Sequence, residues 1–185
     1  MLQLEDMESH EERLRRFQDG PPLEIIETLL NSIANFSNRE IRDAANLAAP
    51  AWNLVLLGIH SVALTIVFAL FDQSGPAGYR MFLERFVDTG GPADFSAIAD
   101  EIHGWRNVIA HQWLSKQGHT LALDTTIATG WERRGEVLHF NPRIYTDAYL
   151  SAFGARGRIW DWNQMLTPDQ QRAAKGRMIT NYVEH

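Results

Sequence analysis

Seventeen consecutive residues, Val55 to Phe71 (VLLGIHSVALTIVFALF), carry no Asp, Glu, Lys or Arg and one imidazole, His60. The run falls short of the roughly 20 residues a spanning helix needs, and no cluster of Lys or Arg stands beside it. It therefore predicts a helix buried on all sides within a bundle, with no membrane as partner. His60, alone in that run, reads as a satisfied core histidine that a facing helix can bring near a site. The chain has 185 residues, which at about 150 per domain gives one domain with an appendage. A chain of this size buries roughly 70% of its unfolded surface, enough to coat such a helix.

The rest of the sequence supplies the coat. Residues 9 to 18 form a short charged helix anchored by Leu14 and Phe17 and stopped by Gly20-Pro21-Pro22, a mobile arm in prospect. Leu23, Ile25, Ile26, Leu29, Leu30, Ile33 and Phe36 recur at helical spacing. Ser37-Asn38-Arg39-Glu40 fits an S-x-x-E capping box opening a new helix, which Pro50 should kink or break. Residues 77 to 87 predict a short helix, and another starts near Pro92 to Asp94 and continues to about Ser115. The character then changes. His119 to Trp131 and Glu136 to Phe140 are rich in β-branched and aromatic residues around a polar Glu132-Arg133-Arg134-Gly135 link, which reads as a β-hairpin. Asn141-Pro142 ends it, residues 143 to 153 are helical again, and Pro168 opens a last helix to about Val183. The expected fold class is mainly α: residues 1–20 an N-terminal helical arm, 21–116 a helical bundle, and 117–185 a β-hairpin plus C-terminal helices packed on the bundle.

With no cysteine, disulfides, thiolate zinc sites and thiol nucleophiles are excluded together. The first twenty residues lack an apolar core of the kind that marks a secretory signal, so the expected address is cytoplasmic. A formal charge of -6 removes the whole-molecule basic field that grips nucleic acid. Contact with a polyanion must then be local, and Arg133-Arg134 and the group Arg156, Arg158 offer the positive patches, both expected to be solvated surface. Trp131, Trp160 and Trp162 can stack bases, although core packing is the stronger expectation.

Neither a glycine-rich phosphate loop nor an H-E-x-x-H nor a G-x-S-x-G is present. Chemistry concentrates instead in His103-Gly104-Trp105-Arg106-Asn107-Val108-Ile109-Ala110-His111. Arg106 and His111 are separated by about 500°, or 140° net, and about 7.5 Å along one helix. Asn107 and His103 fall on the arc between them, and Asp100 shares that arc as a group able to orient a histidine or stand as a solvated charge. Ile102, Trp105 and Ile109 point the other way, into the core. Histidine exchanges a proton near neutral pH, and the guanidinium fork matches a phosphate and the extra charge of its five-coordinate transition state. One helix supplies a single histidine of an acid and base pair, and a twofold dimer supplies the second. The R-x4-H spacing alone is expected about 0.6 times by chance, and Arg134 with His139 repeats it across the hairpin; Asn107 lowers the expectation to about 0.03. Ion pairing of Arg106 with Glu101 or Asp100 is the bland alternative.

The phrase Trp105-Arg106-Asn107-Val108-Ile109-Ala110-His111 resembles the R-N-x-x-A-H motif of the HEPN family (higher eukaryotes and prokaryotes nucleotide-binding domain), over roughly residues 23 to 116. The resemblance implies an up-and-down four-helix bundle, a homodimer with two motifs meeting at the interface, and a metal-independent RNase that leaves a 2′,3′-cyclic phosphate by 2′-hydroxyl transesterification, often a toxin or defence effector. Arg106 would stabilise the phosphate, His111 would be the general acid and base, and Asn107 would orient them; no cofactor and no metal are implied. A partner antitoxin or nucleotidyltransferase is an expected associate of such toxins. Some members carry a modifiable tyrosine two places after the histidine; Trp113 stands there in this chain, so silencing at that position is not expected. Other members bind a nucleotide or a partner protein without cleavage, the alternative for this chain.

Overall fold

The computed structural model describes residues 9–91, 93–112, 121–153 and 159–182, with backbone alone at 107–112 and 182. The chain is mainly helical with a small three-stranded sheet. Its helices are α1 (His10–Asp19), α2 (Pro22–Asn35), α3 (Ser37–Ala45), α4 (Trp52–Phe71), α5 (Gly75–Phe82), α6 (Ala99–Gln112), α7 (Pro142–Phe153), α8 (Trp162–Met165) and α9 (Pro168–Tyr182), and its strands β1 (Leu121–Leu123), β2 (Trp131–Arg134) and β3 (Val137–Phe140).

The apolar run is the axis of the molecule. α3, α5, α6, α7 and α9 all pack on α4, and Val55, Leu56, Ile59, Ala63, Ile66, Val67 and Leu70 are buried among them. Trp52, Asn53 and Leu54 extend the helix to 20 residues, long and apolar enough by composition to cross a membrane, with a mean hydropathy of 2.5 over its most apolar 18 residues. Half of that stretch is nevertheless covered by the fold. Burial on all sides was too strong an expectation for Val55 to Phe71, because Ser61 is exposed and Leu57, Gly58 and Val62 are only half-buried. The last carbonyls of α4, which no helical N–H can reach, are met from outside: Arg177 on α9 donates from Nε to Ala69 O and from Nη2 to Leu70 O, each at 3.1 Å.

Three local expectations are corrected. Ser37 does not cap α3; it is the first helical residue, Phe36 stands at the cap position in helical conformation, and no side chain caps that end. The tight α2 to α3 junction turns Phe36 outward, 64% exposed rather than in the core stripe. It also turns Asn38 inward, where its amide donates to Phe153 O and accepts from the Tyr149 hydroxyl at 2.6 Å, tying α3 to α7. Capping boxes form elsewhere, at Ser9 with Glu12 and at Thr167 with Gln170.

The hairpin is shorter than the sequence suggests and carries an extra strand. β2 and β3 are antiparallel with Arg134 opposite Val137, so Glu132 to Arg134 belong to the strand rather than to a link. Gly135, at φ 63°, opens the two-residue turn, a position at which a side chain is strained. β1, from the segment expected to be the first arm, runs parallel to β3 instead. Asn141 then closes the sheet: its amide nitrogen donates to Thr125 O and Ile127 O, and its oxygen accepts from Arg143 N and Ile144 N at the start of α7.

The expected mobile arm is docked. Phe17 of α1 is buried with Ile25 and Ile179, and Lys175 donates to Gln18 O and Gly20 O. Trp160 and Trp162 stack into an aromatic cluster with Phe86 and Phe153, and the Trp131 indole donates to Asp94 O, so these rings serve packing. Arg133 pairs with Glu101, and Arg134 with Glu132 and Asp124, which neutralises that positive patch. Arg156 and Arg158 lie outside the described residues.

Candidate functional site

α6 fixes the geometry of the site. Ala99 and Ile102 are buried against the core, which sets the helix's rotation, and Trp105 packs at its edge. Asp100 points outward and accepts from Arg80 Nη2 at 2.8 Å, while Arg80 Nη1 donates to Ser96 O. Asp100 is thus engaged with an arginine of α5 rather than hydrogen-bonded to a histidine, though its charge favours the protonated form of His103. Glu101 is taken by Arg133.

His103 faces α4. Its Nδ1 lies 2.9 Å from Nε2 of His60, and the two ring centroids are 4.9 Å apart. His60 is 1% exposed, and its ring lies 4.4 Å from that of Tyr79, whose hydroxyl is 2.6 Å from the Tyr145 hydroxyl. A polar line runs from the half-buried face of α6 into the centre of the fold. Asp88, whose charge is felt by both tyrosines, accepts from Phe95 N and Ser96 N.

Both imidazoles are held neutral. Burial pushes His60 down from 6.5 to about 3, with the charges of His103 and Arg106 adding to it. His103 is lowered first by burial and then by Arg106, against the opposing pull of Asp100. Burial raises Tyr79 and Tyr145 well above the ordinary tyrosine value, so both hydroxyls stay protonated.

The partners also choose the tautomer. His60 Nδ1 is buried and has no hydrogen-bond partner among the described residues. A buried N–H left unpaired costs more than an unpaired acceptor, so the proton of His60 sits on Nε2 and is donated to His103 Nδ1. Neutral His103 then carries its own proton on Nε2, as a donor.

Arg106 shares α6 three residues after His103, and its charge is felt by both histidines. Asn107 and His111 are on the same helix, with their side chains outside the described residues. Residues 113–120, including the end of the expected helix, also lie outside them. The decoy pair Arg134 and His139 meets on Asp124, 3.4 Å from each, on the sheet. Sequence reasoning missed Tyr79, Arg80 and Tyr145, since no spacing within one helix signals a partner from another. Among the described residues no three His, Asp or Glu side chains gather as a metal site. Searches of family models, curated proteins and solved structures give no match to this chain.

Proposed function

We propose that this chain is a metal-independent endoribonuclease of HEPN type, working as a homodimer around the α6 motif, with a HEPN-like four-helix bundle as its core. The observation that carries the proposal is the neutral pair His60 of α4 and His103 of α6 at 2.9 Å, with Arg106 three residues after His103 on α6, which supports a guanidinium and a fixed imidazole donor on one face. In the reaction one His111 takes the proton of a ribose 2′-hydroxyl, and the freed oxygen attacks the adjacent phosphorus. Arg106 and His103 Nε2–H stabilise the five-coordinate phosphate. The 5′-oxygen leaves with a proton from the His111 of a second copy, giving a 2′,3′-cyclic phosphate and a 5′-hydroxyl. Asn107 orients these groups. A toxin or defence role, with an antitoxin or nucleotidyltransferase as associate, belongs to the same proposal.

A second reading is favoured by one observation: the Arg133-Arg134 patch is neutralised in a chain of net charge -6, which suits a binder of a nucleotide or protein better than a tracker of long RNA. Incubating the wild type, Arg106→Ala and His111→Ala with RNA in EDTA separates them. Chelator-resistant cleavage with cyclic-phosphate ends, reduced about 10²-fold or more in both variants, is expected. Equal activity in all three removes the site assignment, and a strictly monomeric active protein removes the dimer.

A further inference from the structure

A cleft of about 340 Å³ opens between α3, the start of α4 and α7, lined by Arg42, Asn46, Trp52, Arg143, Asp147 and Ser151 among others. Two arginines therefore line one cavity, Arg42 half-buried and Arg143 exposed, with its guanidinium carbon 5.5 Å from the centre of the Trp52 ring. Among the described residues neither forms an ion pair, whereas Arg80, Arg133, Arg134 and Arg172 are each paired with a carboxylate. Asp147 stands one turn along α7 from Arg143 in the same cleft and still does not pair with it.

The helix geometry adds charge of the same sign. Trp52 is the first residue of α4, and no side chain caps that end, so its opening N–H groups leave partial positive charge beside the two arginines. An anion seated in such a cleft gains from both charges at once. We propose that this cleft binds the phosphate group of a small phosphomonoester, with Arg42 and Arg143 as its forked donors. A phosphate monoester carries close to two negative charges and several acceptor oxygens, which matches two guanidinium forks better than a single carboxylate does. The volume admits a body the size of a mononucleotide, and Asn46, Asp147 and Ser151 provide hydrogen bonds for its hydroxyl or amino groups. None of the lining residues belongs to α6, so the proposal stands apart from the ribonuclease reading.

The test is calorimetric titration of the protein at constant ionic strength with AMP, inorganic phosphate and adenosine. Wild type, Arg42→Gln, Arg143→Gln and the exposed control Arg39→Gln are compared, their folding checked by circular dichroism. Saturable binding of AMP and phosphate but not adenosine is expected, weakened about tenfold or more in each cleft variant and unchanged in Arg39→Gln. Equal AMP affinity in wild type and the two cleft variants overturns the proposal, as does the absence of saturable heat from AMP and phosphate with folded wild type.

Discussion

His60 Nε2 and His103 Nδ1 meet at 2.9 Å across 43 residues of sequence, joining the apolar helix α4 to α6, the helix that carries the candidate site. The contact makes the site's electrostatics a property of the core. Any change in the protonation of His60 is a change in how well α4 and α6 fit together.

Acid should therefore loosen the protein in a way that His60 controls. An imidazole lowered from 6.5 to about 3 on folding binds its proton more readily in the unfolded chain. The stability it carries is complete above pH 6.5 and is lost as pH falls from there toward 3. Urea unfolding of wild type and His60→Gln between pH 7 and pH 4 checks this. The wild-type curve should fall more steeply, by up to about 1.4 kcal/mol per pH unit; parallel curves contradict the assignment.

The Tyr79 and Tyr145 hydroxyls, 2.6 Å apart and fully buried, should behave as one unit. Tyr79→Phe or Tyr145→Phe alone leaves a buried hydroxyl without its partner and should cost about 1–3 kcal/mol. The double variant removes both groups and should cost less than the sum of the singles. Chemical denaturation of all four proteins measures the coupling, and strict additivity counts against it.

Two glycines should respond in opposite directions to alanine. Gly130 has φ 86°, and an added Cβ would sit 2.8 Å from Ala93 Cβ and 3.0 Å from Phe95 Cζ. Gly130→Ala should destabilise by about 2 kcal/mol or more. Gly104 lies inside α6, where a Cβ meets nothing within 4 Å. Gly104→Ala should raise stability by about 0.5–1 kcal/mol. Thermal melts of the two variants give the signs directly.

How much of this was legible beforehand follows the range of the interactions. The stripe Ile25, Ile26, Leu30 and the apolar run of α4 were readable because helical periodicity is local, and the placement of Arg106 on a helix followed from the same signal. The approach of His60 to His103 was readable only as an opportunity, since nothing in either segment names its partner. Ser37 misled because a capping box needs a non-helical residue at its head, and the close α2 to α3 junction holds the chain helical there instead. β1 misled for a similar reason: strand composition reports a pleated, half-buried environment, while parallel or antiparallel pairing is decided by where the loop through Asp124 to Gly130 returns the chain.

Arg177 finishes α4 from a helix more than a hundred residues later. During synthesis the ribosome releases the most apolar segment of the protein long before α9 emerges to pack on α4 and to bond its last turn. Until then the nascent chain displays a 20-residue stretch with the length and composition that membrane-targeting factors and chaperones select. The late arrival of one arginine thus sets a window in which the fate of the polypeptide depends on its escorts in the cell as well as on its own sequence.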